Sequence, residues 1–214
     1  MVTATEILTL TQWLSPAYPV GAFAYSHGLE AAIADGTVTD AGRLTDWATG
    51  VLEHGAGRAD ATFLAAAHHA DAADIPGIDA TARAFAASAE RLRETELMGA
   101  AFCEITAALW PGDLDGLTYP VALGRATRLA ALPPILAAQM ALQAFVGNLA
   151  AVGMRLIPLG QTDGQRILRD LAPACARIAT ETAGGDLATL RSTAFLSDIA
   201  SMRHETLSPR IFRT

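Results

Sequence analysis

Lysine is absent from this 214-residue chain, and all 15 basic residues are arginine. A phosphate loop of the GxxxxGK[ST] type needs a lysine amine at the phosphates, and a Schiff-base enzyme needs one as nucleophile. Neither chemistry can be built here. Cysteine is scarce: Cys103 and Cys175 stand 72 positions apart, too few for a zinc ribbon or a disulfide framework. They read as reduced thiols of a cytoplasmic protein. Charge is sparse at 17%, and the formal net charge of −7 lacks the basic stripe of a nucleic-acid binder. The first six residues, Met1 to Glu6, carry no basic region of a secretory signal.

What the chain has in quantity is alanine, 46 residues of it, within a 51% hydrophobic composition. Apolar positions recur at helical spacing throughout, and no run alternates with the period of two that a strand requires. Residues 129–154 hold no charged side chain, long enough to cross a bilayer. Pro133, Pro134, Gln139, Gln143 and Asn148 interrupt that stretch. Ile135, Ala138, Leu142, Phe145, Leu149, Val152 and Leu156 follow steps of three and four, the pattern of a helix buried among other helices. No membrane span is expected.

Helices are expected from a Thr3/Glu6 capping box to about Leu14, over residues 24–35 with Gly36 as stop, from Asp40, and over 58–71 after the Gly55–Gly57 break. Asp74-Ile-Pro-Gly77 reads as a turn, residues 78–110 as one long helix or two, and residues 111–116 as a loop. Further helices follow over 119–132, through the uncharged stretch, after a Thr162/Gln165 capping box, and over about 195–202. The expected architecture is all-α, a single-domain helical bundle. Residues 203–214 hold three Arg and one Glu, a charge of +2 against −9 for residues 1–202. A basic tail ending near Ile211 and Phe212 on an acidic body suggests a docking element.

The catalytic templates each fail on a required residue. Ala24-Tyr-Ser26-His-Gly28 resembles a nucleophile elbow, which needs a strand before it; the plainer reading is a polar helix start on an exposed loop. His204-Glu205 opens a zincin-like motif whose second histidine would fall on Ser208. Gly55-Ala-Gly57-Arg-Ala-Asp60 lacks the third glycine of a dinucleotide fingerprint. His68 with Asp71, or His27 with Glu30, could share a metal across one helix face. Glu90, Glu94 and Glu96, alternating with Arg91 and Arg93, read as a salt-bridge-laced surface. Arg155, directly after the uncharged helix, is either buried with a partner or aimed at an interface.

Three stretches together carry a family resemblance. Ser15-Pro-x-x-Pro19-x-Gly21-x-Phe23-x-Tyr25-Ser26-x-Gly28-Leu29-Glu30 resembles the N-terminal signature of the urease accessory protein UreF family. Arg155-Leu-Ile-Pro-Leu-Gly-Gln-Thr-Asp-Gly-Gln165 is similar to its central motif. Ser201-Met202-Arg203-His204-Glu205, with Arg210-Ile211-Phe212-Arg213-Thr214, resembles its C-terminal signature. The order is right and the span covers almost the whole chain. Ile211 and Thr214 replace an expected Leu and Ser, and Leu207-Ser208-Pro209 replaces a more polar spacer.

The resemblance implies a non-catalytic, cytoplasmic, all-α adaptor with no bound cofactor. It would bridge the scaffold chaperone UreD (also called UreH) and the GTPase UreG while nickel is delivered to apo-urease. Nickel and GTP would belong to the partner complex, and the chain would form a homodimer. The resemblance divides the chain into a UreF-like domain, 1–202, and a partner-binding tail, 203–214. It makes Ser201 to Glu205 and Arg210 to Thr214 face UreD, with Tyr25, Ser26, His27, Gly28 and Glu30 at or near a partner surface. Arg155 is a further candidate. An arginine could assist GTP hydrolysis by UreG. The competing readings are a direct nickel carrier using His27, His54, His68, His69 or His204, and a Ser26-dependent hydrolase.

Overall fold

The computed structural model describes residues 2–114 and 116–214; Asp115, in the expected 111–116 loop, and Met1 lie outside the described residues. The chain is all-α, 69% helical. Its helices are α1 (Ala4–Trp13), α2 (Leu29–Ala34), α3 (Ala41–His54), α4 (Ala56–His69), α5 (Ile75–Ala84), α6 (Ala89–Leu109), α7 (Tyr119–Leu129), α8 (Pro134–Leu156), α9 (Gln161–Glu181) and α10 (Phe195–His204). Short 3₁₀ turns lie at Ala22–Ala24 and Leu187–Thr189.

Local chemistry sets most of the helix starts. The Thr3 hydroxyl accepts from the Glu6 amide (3.2 Å), and Glu6 accepts in return from the Thr3 amide (2.5 Å), a reciprocal cap that satisfies two otherwise orphaned donors. Asp40 and Ser88 cap α3 and α6 through the amides of Arg43 and Arg91, each at 3.0 Å. The helix expected over 24–35 is shorter, because residues 25–28 are a turn and α2 begins only at Leu29. Asp74-Ile-Pro-Gly77 is helix entry rather than a free turn. Pro76 sits in the first turn of α5, where a missing N–H costs nothing. The 78–110 stretch divides into α5 and α6. At α9 the helix starts at Gln161, and Asp163 accepts from the Gly160 amide (3.4 Å); Thr162 and Gln165 form no box.

The core gathers around α8, whose Leu142, Val146, Leu149 and Val152 are buried against α3, α4 and α9. It is the one helix among the described residues long and apolar enough to cross a membrane, and it is packed on its neighbours. Trp13, Phe102 and Trp110 meet edge-to-face at 5.4–5.7 Å, closing one end. A second cluster of Phe63, Ile75, Ile78 and Val121 ties α5 to α4 and α7. Nothing in this packing separates residues 203–214 from the body: Met202, Arg203 and His204 are the last turn of α10, and Phe212 belongs to the main core.

Candidate partner-docking site

The N-terminal signature folds into a turn that the C-terminal signature covers. His27 (φ 53°) and Gly28 (φ 75°) are consecutive left-handed residues that swing the chain into α2. Ser26 is fully buried rather than on an exposed loop. Its amide donates to the Thr214 main-chain oxygen (2.8 Å), its hydroxyl donates to the same oxygen, and its Oγ accepts from the Glu30 amide (3.3 Å). With its hydroxyl committed and the His27 ring turned to Glu94, Ser26 is not arranged as a nucleophile. Tyr25 is buried, and its carbonyl accepts from Asn148 Nδ2 on α8 (2.9 Å).

Residues 205–214 lie over this turn. The Arg213 amide donates to the Ala24 carbonyl (2.8 Å). The Glu30 carboxylate receives the Ile211 amide on Oε1 (2.6 Å) and the Phe212 amide on Oε2 (2.8 Å). His204, fully buried, places Nε2 2.9 Å from Glu30 Oε2 and Nδ1 2.7 Å from Glu90 Oε2. Arg210 pairs with the other oxygen of Glu90. Burial alone would raise the Glu30 carboxyl, but donors from His204, Ile211 and Phe212 hold it below the usual carboxylate range. Glu205 accepts from the Ala89 amide at the start of α6 (3.0 Å), and Ser201 meets Ser88 at 2.6 Å. The Phe212 ring is 3% exposed and lies under the Arg155 guanidinium, 4.8 Å from its centroid. Arg155 is thus a surface residue stacked on the tail.

The predicted residues therefore come together, but with unequal exposure. Met202, Arg203, Ile211 and Arg213 are open to solvent, whereas Tyr25, Ser26, His27, Gly28, Glu30, Ser201, His204 and Phe212 are buried. Sequence reasoning missed Phe195, Leu196 and Ile199, which extend the exposed face of α10. Phe195 is 66% and Leu196 72% exposed. Spaced at i, i+1, i+4 and i+7 with Met202, they look like a core stripe in sequence, and α10 turns that stripe outward.

Of the α6 charges, Arg93 is exposed and Glu96 pairs with Arg83 at the surface, but Glu90, Arg91 and Glu94 turn inward beneath the tail. Glu94 is 2% exposed, Arg91 pairs with it (3.0 Å) and with Asp60 on α4 (2.6 Å), and His27 Nε2 reaches Glu94 at 3.2 Å. The Thr214 hydroxyl donates to Glu94 Oε2 (3.1 Å). A helix of alternating charges presents one flank to the interior here because the partners arrive from α4, the turn and the tail. Burial, reinforced by the Arg91 charge, lowers the His27 imidazole to about 3. A cavity of about 60 Å³ opens beside Asp60, Arg91 and Ser201.

His27 and Glu30 diverge, one to Glu94 and the other to His204. Asp71 is taken by Arg128 (3.1 Å) rather than by His68. The His69 ring lies 2.9 Å from the Ala183 carbonyl, and His54 is exposed at the end of α3. Among the described residues no three of His, Cys, Asp and Glu converge as a metal site would require.

The UreF family model matches residues 38–172. A urease accessory protein UreF of Ruegeria pomeroyi is 55% identical over 217 aligned residues, covering 100% of both chains. A urease accessory protein UreF of Roseobacter denitrificans is 47% identical, covering 100% of this chain and 96% of its own. One from Cereibacter sphaeroides ATH 2.4.1 is 50% identical, covering 99% and 100%. These alignments take in both terminal signatures, which lie outside the family match, and the chain belongs to the UreF family of urease accessory proteins.

Proposed function

We propose that this chain is a non-catalytic, cytoplasmic adaptor, active as a homodimer, that bridges the UreD/UreH scaffold and the UreG GTPase while nickel is inserted into apo-urease. The observation that carries the reading is the junction of the two signatures. The tail is pinned to the Tyr25–Glu30 turn, and beside it α10 presents Phe195, Leu196, Ile199 and Met202 to solvent. An exposed apolar helix face that also carries the exposed Arg203 has the anchor-and-rim composition of a protein interface. The absence of lysine is consistent with nucleotide chemistry and the metal-holding lysine belonging to partners. Nickel is cargo of the assembly, and any effect on GTP hydrolysis would come through an arginine.

The test is co-purification with UreD and UreG, with and without GTP and nickel. Recovery of all three proteins, lost when α10 and the tail are removed, supports the reading. Undiminished recovery with the shortened chain overturns it, and tight stoichiometric nickel binding by the isolated protein would favour a carrier role.

A further inference from the structure

The end of the bundle closed by aromatic rings also holds a cavity of about 80 Å³. Trp13 at the end of α1, Thr106 on α6, Trp110 just beyond α6, and Ala126, Leu129 and Ala130 around the end of α7 are among its walls. The two alanines leave room that a longer side chain would take, and the Trp13 and Trp110 rings, edge-to-face at 5.4 Å, frame it. No residue of α10 or of the tail lines it. No charged side chain does either, so an ion inside would be stripped of water and unpaired. The Thr106 hydroxyl is engaged with the Tyr18 hydroxyl (2.8 Å). The Trp13 indole is not: the residue is 1% exposed, and among the described residues no acceptor reaches Nε1. The Phe102 and Trp110 rings beside it offer at most a π face, a weaker acceptor than oxygen.

A buried water takes about two to four polar partners, and the side chains of this wall offer one unengaged donor. The better match is a neutral guest, apolar over most of its surface, with one acceptor atom. The cavity is about half the size of the roughly 150 Å³ space that takes a benzene ring, which suits a guest of about four heavy atoms. Leu129 both lines the cavity and is 40% exposed, so one side chain stands between the guest and solvent. We propose that this cavity binds a small neutral carbonyl compound, whose oxygen accepts from Trp13 Nε1 while its carbons lie against Trp110, Ala126 and Leu129.

Acetone is the probe, and acetate and urea are its controls. All three have the same planar outline, but acetate brings a charge and urea brings N–H donors that these walls cannot satisfy. The measurement is ¹H–¹⁵N NMR of the indole N–H groups on the full chain. Trp47 is the internal reference, because its Nε1 is also sealed and without an acceptor, yet it does not line this cavity. Acetone is expected to shift the Trp13 Nε1–H signal saturably in the millimolar range and to leave Trp47 in place. Acetate and urea are expected to move neither. Parallel, unsaturating drift of Trp13 and Trp47 is a solvent effect and overturns the site, as does an equal response to acetate or urea. A contact between Trp13 Nε1–H and a long-lived water also overturns it, since the donor is then already satisfied. Trp13→Phe should weaken acetone binding about fivefold to tenfold, read on the Ala126 methyl group. Ala126→Val narrows the cavity and should abolish the Trp13 response while the Trp47 signal stays native. A full response in Ala126→Val would place acetone elsewhere, and the wild-type titration decides the matter even where a variant folds poorly.

Discussion

The backbone of Gly28 approaches α10 so closely that a β-carbon on it would stand 2.6 Å from the Ser201 amide nitrogen. One residue of the N-terminal signature thus sets the distance to the first residue of the C-terminal one. Gly28 also holds φ 75°, a conformation costing an L side chain about 1–2 kcal/mol. Gly28→Ala adds this strain to overpacking worth about 1–3 kcal/mol. Thermal denaturation is expected to show destabilisation of about 2–5 kcal/mol, and a loss below 1 kcal/mol would mean that α10 yields freely.

Phe212 supplies the apolar part of the tail contact, and Arg155 lies over it. Phe212→Ala is expected to cost about 3–5 kcal/mol if the tail stays in place. It costs less if the tail detaches and takes the cavity with it. Proteolysis separates the outcomes: a detached tail is cleaved after Arg210 or Arg213 by trypsin, whereas the wild-type tail resists. Arg155→Ala removes an exposed cation–π contact worth about 0.5–1 kcal/mol. It should leave the melting temperature within a few degrees while speeding cleavage of the tail.

How much of this is legible in sequence depends on the range of each interaction. The helices were written in local spacing, and the caps at Thr3 and Asp40 in residues three apart. Pro76 misleads because the same residue ends one helix or opens another, and the choice lies with the packing of Ile75 and Ile78. The tail is readable as an anchor from Phe212, but its seat is not: Glu30 meets Phe212 from 182 positions away. The buried side of α6 is equally silent, since Arg91 and Asp60 are 31 residues apart on different helices. The outward face of α10 inverts the usual rule, and only the fold shows which way Phe195 and Leu196 turn.

His27 gives the fold an acid limit. Its imidazole is held at about 3 in the folded chain against an ordinary 6.5. As pH falls through that window the unfolded chain takes up a proton that the folded chain refuses, so stability is present above about 6.5 and lost below it. The loss from this group approaches about 1.4 kcal/mol per pH unit. His27→Asn keeps a residue tolerant of positive φ and removes the titration. Urea denaturation is expected to show a shallower decline for the variant between about pH 6.5 and 4.5, above the range in which Glu30 contributes. Parallel declines in the two proteins would show that His27 is not the group responsible.

The exposed side of α10 separates docking from folding. Leu196 and Ile199 stand in solvent, so Leu196→Asp and Ile199→Asp should change stability by no more than about 0.5 kcal/mol. At the centre of an interface the same changes would bury an unpaired carboxylate, costing more than about 2 kcal/mol, or over tenfold in affinity. The tail offers a contrast, since substitution of its buried Phe212 is expected to alter stability as well as docking. Binding of each variant to UreD, measured beside its melting curve, is expected to show affinity collapsing while the curve stays put. Unchanged affinity in both variants would move the scaffold contact off this face of α10 and onto Ile211 and Arg213 at the tail.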